Sequence, residues 1–365
     1  MFCKSVKSLL VAVFSLFLLS SSIAVMAQDH AGAHEEKAEP FDPTKIIMGH
    51  IQDGYEFHFF SLGDFDAVIH LPVILYSPEK GLSVFSSSKF GHEGSEDYEG
   101  YRLVNGNKIV SVEEGMKVYD FSITRNVAQM FLAMLFFVIL MVNVAKKYKS
   151  GIGVTSAPKG FQSLIEPVIV FVREDVAKVN LGTRWERYMP FLLTVFFFIL
   201  FNTIVGMIPG SANVTGNIAF TAVLGVVALI VILFSTTSHF WKHIFWPPGV
   251  PFLVKVILVP VELAGVLLIK PGALIIRLFA NMVAGHIIIL SFISLIFIFA
   301  EMAPVAGWAF SPVSILFTVF IYFIEIIVAF VQAFIFTVLT AVFIGQGFEG
   351  SDHDVHPGTI EGGLL

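Results

Sequence analysis

IKPGALIIRLFANMVAGH, Ile269–His286, is the stretch on which the reading turns. It lies inside an apolar run long enough to cross a membrane, yet it contains Arg277. An arginine at mid-bilayer costs about 2.5–3.5 kcal/mol on insertion scales, and such a residue marks an ion path or a charged partner. The alternative is a long side chain reaching for headgroups near a helix end. More than twenty mostly apolar residues follow Arg277, so that escape is closed on its C-terminal side, and Lys270 is the better placed of the two basic residues for it.

The surrounding composition agrees with a membrane setting. Of 365 residues, 56% are hydrophobic and 14% charged, and the apolar residues gather into runs near twenty long. This is the pattern of a polytopic helical membrane protein. The net charge of −6 is uneven: residues 28–125 carry 17 acidic against 8 basic side chains. That asymmetry separates an acidic, water-exposed segment from the membrane part. The lone cysteine, Cys3, offers neither a disulfide nor a thiolate metal site.

Residues 1–27 read as a signal peptide, with Lys4 and Lys7, an apolar Leu9–Leu19 and small residues at Val25 and Ala27; a first transmembrane helix is the other reading. Residues 28–125 are expected to form a small β-rich extracytoplasmic domain. Its polar start is loose, and its strands are expected at Tyr55–Ser61, Ala67–Leu75, Leu82–Phe85 and Lys108–Phe121. Pro72 confines the second strand to a sheet edge. The scattered histidines of this segment match no metal-ligand spacing.

Membrane spans are expected at Val127–Val144, Met189–Ile208 and Asn217–Ser235, followed by two longer apolar stretches at Pro251–Ala300 and Pro312–Gly345. The fold class is therefore all-α, with about five membrane helices, a long oblique C-terminal helical hairpin and the β-rich outer domain. Eight basic residues between the first two spans place that loop in the cytoplasm. Within it, FQSLIEPVIVFVREDVAKV reads as an interfacial amphipathic helix. Asn202 is expected to hydrogen-bond between helices. Pro260 and Pro271 should bend the fourth stretch. Ser311-Pro312 reads as the N-cap and first position of the last helix, with the connecting loop near Gly307. The membrane part spans 126–346, and 347–365 form a cytoplasmic tail.

The ionisable residues concentrate in the last two stretches. If Arg277 is level with Gln332 in an antiparallel pair, His286 and Glu325 lie about 13.5 and 10.5 Å toward the connecting loop, within about one turn of each other. Asn281 shares a face with Arg277, and His286 points elsewhere. A His–carboxylate cluster can exchange protons near neutral pH; it can equally be a satisfied pair that holds two helices together. Glu262 lies fifteen residues before Arg277 and either serves an inner aqueous entrance or pairs with Lys255 or Lys270.

At these residues the chain resembles subunit a of the F-type ATP synthases. The resemblance rests on Lys270-Pro271, on Arg277-Leu-Phe-Ala-Asn281-Met-Val-Ala-Gly285-His286, and on Gln332-Ala-Phe-Ile-Phe-Thr-Val-Leu-Thr340, with RYMPFLLTVFFFILFNTIVGMIPG upstream. It covers roughly residues 125–346. It implies a stator subunit without ATP chemistry, in which two offset half-channels carry protons to and from a rotating c-ring in the inner membrane. Arg277 would face the ring, with Asn281 and Gln332 near it. His286 and Glu325 would belong to the outer half-channel and Glu262 to the inner one, although the Glu262–Lys270 spacing is one residue longer than the family pattern. The implied partners are c-ring subunits, b-type peripheral stalk subunits, the rest of the complex and the lipid bilayer, with no nucleic acid, cofactor or metal. A self-contained ion-coupled secondary transporter is the rival reading; it predicts internal repeats, which the sequence does not display.

Overall fold

The computed structural model describes residues 43–348, apart from 63–64, 92–95, 105, 114, 154–156, 159, 209, 248 and 250. The expected signal peptide, the loose start of the outer domain and the tail beyond 348 lie outside the described residues. In chain order come α1 (Pro43–Ile51), β1 (Glu56–Leu62), β2 (Phe65–His70), β3 (Pro72–Ser77), β4 (Gly81–Ser86), β5 (Tyr101–Val104), β6 (Lys108–Ser111) and β7 (Tyr119–Asp120). The helices α2 (Arg125–Lys149), α3 (Phe161–Phe171), α4 (Trp185–Gly206), α5 (Ile218–Ser235), α6 (Ser238–Phe245), α7 (Phe252–Ala264), α8 (Lys270–Met302) and α9 (Pro304–Gln346) follow. Among the described residues, five helical segments are long and apolar enough to cross a membrane. The chain is an all-α polytopic membrane protein with small sheets before its first span.

The chain divides into two compact units. One takes in Met1–Phe131, Val205–Val214 and Ile287–Thr318; the other takes in Leu132–Ile204, Thr215–His286 and Val319–Leu365.

In the first unit the strands form three antiparallel sheets, β1-β2, β4-β3-β7 and β5-β6. Val73 and Leu75 on β3 alternate inward and pack with Tyr55, Phe90, Tyr101 and Ile109. Pro72 does not make β3 an edge strand: β3 is the centre of its sheet. Proline is accommodated because it is the first residue of the strand, where the missing N–H interrupts no ladder. The expected strand Ala67–Leu75 is two strands meeting at Leu71, which instead bonds Tyr55 O and Ser87 Oγ. The expected Lys108–Phe121 strand also splits, and Gly115 in the break adopts φ 92°. Strand β5 was absent from the expectations, although Asn105-Gly106 between β5 and β6 is a strong hairpin signal.

This small domain is tied to the first turn of α2. Asp53 Oδ1 accepts from Asn126 N at 3.0 Å, Gly54 O from Arg125 N at 2.7 Å, and Gln52 O from Arg125 Nη2 at 2.6 Å. One turn on, Gln129 makes a two-point contact with Ala212, donating to its carbonyl and accepting from its amide, each at 2.5 Å. Gly206 leaves the space for that loop, since a Cβ there would lie 3.2 Å from Ala212 O.

Helix α9 does not begin at Pro312. It begins at Pro304 and runs for 43 residues, about 64 Å at 1.5 Å per residue, with Pro312 inside it. The turn is at Ala303, not near Gly307. Gly307 is instead a packing residue: a Cβ there would come 2.7 Å from Ala300 Cβ, so its absence lets the two helices close up directly after the turn. The tilted Phe299–Phe310 ring pair and the stacked Phe292–Phe317 pair continue that contact.

The second unit holds the larger core, built on Leu192, Phe196 and Ile199 of α4 with Val172, Val176, Leu274, Leu278 and Ile344. Phe171 meets Phe334 at 5.3 Å and Phe196 meets Phe330 at 5.6 Å. The segment expected to lie at the interface therefore has a buried face: Val172, Val176 and Ala177, in the π-helical stretch after α3, are fully enclosed. Asn202 donates to Phe198 O of its own helix at 2.8 Å and not to a neighbouring helix. Pro260 is carried inside α7 without ending it. Just before Pro271, Gly265–Ile269 widens into a π-helical turn in which Lys270 N bonds Gly265 O. A proline lacks the N–H and crowds the carbonyl four residues back, and the wider turn relieves both problems.

In the strand-rich domain Tyr55 donates its hydroxyl to Asp120 Oδ2 at 2.5 Å, linking the core to β7. Burial, and then the Asp120 carboxylate, push the phenol well above the usual tyrosine value. The contact should be at full strength below about pH 10 and weaken as pH rises past it, because only the unfolded phenol then ionises readily. Tyr55→Phe should destabilise the sheet by about 1–3 kcal/mol, the range for a hydrogen bond to a charged group. Faster amide exchange in β3 and β7, with unchanged exchange in α4, is the expected readout.

Candidate functional site

All six residues singled out by their chemistry lie in the second unit, on α7, α8 and α9. The antiparallel register of α8 and α9 is set by close contacts. Gly285 faces Glu325 so closely that a Cβ on Gly285 would occupy the place of the carboxylate. Toward the far end Lys270 Nζ donates to Gln346 Oε1 at 2.7 Å and lies 4.8 Å from the Phe343 ring. Counting back from the Gly285–Glu325 pair puts Leu278 opposite Gln332, within one residue of the level taken for Arg277.

Arg277 and Asn281 are both exposed, one turn apart on α8. Ala273, Ala280 and Ala284 are exposed on the same side, so the guanidinium stands on a strip of small residues. Leu274, Leu278 and Met282 lie on a different side of the helix and are buried. Among the described residues no carboxylate forms an ion pair with Arg277; the pairs present are His70–Glu56, Lys80–Glu113, Arg102–Asp97 and those of Glu174 with Arg173 and Lys178.

Glu325 is the opposite case. It is 4% exposed, held against Gly285, and its Oε1 has no hydrogen-bond partner within the described residues. His286, next to Gly285, is half-buried, and its Nδ1 lies 3.1 Å from Met282 O. The structure thus puts the carboxylate and the imidazole at neighbouring levels of the helix pair. Gln332 is 4% exposed and does not share the open face of Arg277.

Glu262 on α7 is half-buried, and its Oε2 is enclosed without a hydrogen-bond partner among the described residues. It pairs with neither lysine suggested for it. Lys255 stacks on Trp246 at 4.0 Å, and Lys270 is taken by Gln346 and Phe343. The reading of Glu262 as a simple ion-pair partner is therefore set aside. Gly285 was not among the expected site residues. Its signal was present in the sequence as a small residue directly before His286, but its task depends on the helix opposite.

Residues 127–345 match the family model described as ATP synthase A chain. The chain belongs to that family. Residues 46–130 match a second model, described as a domain of unknown function, DUF8433. ATP synthase subunit a of Chloroherpeton thalassium is 43% identical over 283 residues, covering 76% of this chain and 80% of that protein. ATP synthase subunit a 2 of Chlorobaculum tepidum is 34% identical over 353 residues, covering 94% of this chain and 85% of that one. ATP synthase subunit a of Myxococcus xanthus is 37% identical over 260 residues, covering 69% of this chain and 81% of that protein. The Chlorobaculum match is long enough to include much of the strand-rich N-terminal domain. That domain is therefore shared with at least one other member of the ATP synthase A chain family.

The Gly285–Glu325 contact gives a paired test. Gly285→Ala must displace the carboxylate and should lower proton flux several-fold or more in an assembled complex. Gly272→Ala, also on α8 but with nothing within 4 Å, should leave flux unchanged. Alanine there removes about 1 kcal/mol of glycine's helix penalty. Flux measured in membrane vesicles with both variants separates a positional demand from a general intolerance of alanine.

Proposed function

We propose that this chain is the stator channel subunit of an F-type ATP synthase and carries protons to and from a ring of c subunits. Arg277 carries the proposal. A guanidinium in a membrane-spanning helix, exposed and with no anionic partner among the described residues, calls for a counter-charge from another chain. A carboxylate on a passing ring subunit supplies one. At 4 Å and an effective dielectric near 20 the attraction is about 4 kcal/mol, enough to favour proton release beside Arg277 and to oppose direct leakage past it. The small residues around Arg277 permit the close approach of a partner helix. A self-contained transporter would need that counter-charge within its own chain.

In this reading Asn281 and Gln332 tune the surroundings of Arg277. His286 and Glu325 serve an outer half-channel, and Glu262 an inner one. The enclosed oxygens of Glu325 and Glu262 support these roles, since buried polar atoms without protein partners are where water or a transferred proton is accommodated. The subunit performs no ATP chemistry. It sits in the inner membrane against c subunits and b-type stalk subunits, with residues 28–125 outside, the channel in 126–346 and 347–365 in the cytoplasm.

ATP-driven proton pumping in inverted vesicles tests the proposal. Arg277→Ala should abolish pumping while the complex still assembles; normal pumping would refute the role given to Arg277. Glu325→Gln keeps the shape but removes the transferable proton, and should slow flux by about 10²-fold, the scale for losing one positioned proton-transfer group.

A further inference from the structure

The sheet β4-β3-β7 turns one face to the core, with Val73 and Leu75 inward, and leaves the other face open. On the open face the alternate residues line up in rows across the strands. Leu82, Tyr76 and Tyr119 form one row, and Val84, Ile74 and Phe121 the next. Ile74 at the centre is half-buried and the others are exposed, Leu82 and Phe121 each to 66%. We infer that this face lies on the lipid bilayer, in the headgroup layer at the end of the membrane where α2 begins.

The face has no charge to keep it in water. A third row, Ser86, Pro72 and Ile123, is also uncharged. Asp120, between Tyr119 and Phe121, is turned the other way to Tyr55. Lys80, in the turn between β3 and β4, is engaged by Glu113 and lies over the Tyr101 ring. A contiguous apolar patch on a small domain marks a contact surface.

The position says what is contacted. Phe121 N donates to Ile74 O at 2.9 Å and Ile123 N to Pro72 O at 3.3 Å, so the sheet leads into α2 without a free linker. Arg125, the first residue of α2, is bonded to Gln52 O and Gly54 O of the same domain. Phe121 precedes Arg125 by four residues and Tyr119 by six, so even fully extended chain holds them within about 14 and 21 Å of it. Helix α2 has 25 residues, about 37 Å, against a hydrocarbon thickness of about 30 Å, which puts its ends in the headgroup layers. The open face is thereby held within reach of lipid.

The chemistry favours lipid over a protein partner. A protein interface carries about one hydrogen bond per 100–200 Å². Here β3 is paired on both sides, so a strand cannot add to it. Besides Ser86, the polar side-chain groups in these rows are the hydroxyls of Tyr76 and Tyr119, whose rings lie 6.4 Å apart. Tyrosine, with an apolar body and a polar tip, is enriched at the membrane–water boundary. The inference needs only that α2 crosses a membrane and does not rest on the roles of Arg277 or Glu325.

The test uses assembled complexes in lipid nanodiscs. In a Cys3→Ser background, single cysteines replace Leu82, Val84, Tyr119 or, as a control on β6, the exposed Lys108. Each is spin-labelled, and its collisions with oxygen, which partitions into lipid, are compared with those of a neutral nickel chelate, which stays in water. Wild-type ATP-driven pumping checks that each variant is intact. The labels on the face should give an oxygen-to-nickel ratio several-fold above that of Lys108→Cys. Adding Leu82→Asp/Val84→Asp should bring the Tyr119→Cys label down to the control ratio. A face ratio equal to the control would overturn the inference, because the face would then be in water. Low collision rates with both reagents would overturn it too, because a protein partner would then cover the face, and so would a Tyr119→Cys ratio that the two aspartates leave unchanged.

Discussion

A positive charge fixed on an apolar helix has to be answered by a negative one, and among the described residues no carboxylate forms an ion pair with Arg277. Much of the membrane part can be understood from that condition. The side of α8 that bears Arg277 and Asn281 is lined with alanines and left open. The side that bears Leu274, Leu278 and Met282 is closed against the core. Arginine's planar, permanently charged head suits a partner that arrives and leaves, since it cannot be neutralised by giving up a proton.

The helix pair then has to hold its levels against sliding, because a shift of one residue moves a side chain by about 1.5 Å and 100°. Small residues do much of this in each unit. Gly307 brings the start of α9 against Ala300, and Gly285 admits the carboxylate of Glu325. At the other end of α8, the Lys270–Gln346 bond and the π-helical turn before Pro271 hold the entry to the helix. A buried carboxylate with an oxygen left unbonded is costly unless something fills the place. That makes Glu325 a candidate for water or proton traffic on grounds independent of family membership.

The number of spans, their approximate bounds and the pairing of the last two helices were legible in the sequence, because hydropathy and helix rise depend only on residue type and spacing. Arg277 was legible for the same reason: it breaks an apolar run. What could not be read was anything that depends on a neighbour not yet located. Ser311-Pro312 has the chemistry of a helix start, but packing of Gly307 on Ala300 carries the helix back to Pro304. Pro72 suggested an edge strand because its register within a central strand is not a local property. Glu262 appeared close to two lysines along the chain, yet Trp246 and Gln346 take those lysines in space.

The most direct measurement is disulfide crosslinking across the open face of α8. Single cysteines would replace Ala280, Ala284 or, as the buried control, Leu278, and a second cysteine would be placed beside the membrane carboxylate of the c subunit. If the Arg277 face meets the ring, Ala280→Cys and Ala284→Cys should crosslink to c subunits in assembled complexes, and Leu278→Cys should not. Crosslinking from Leu278→Cys with none from the two alanine positions would contradict the account, because it would put the ring against the wrong side of the helix.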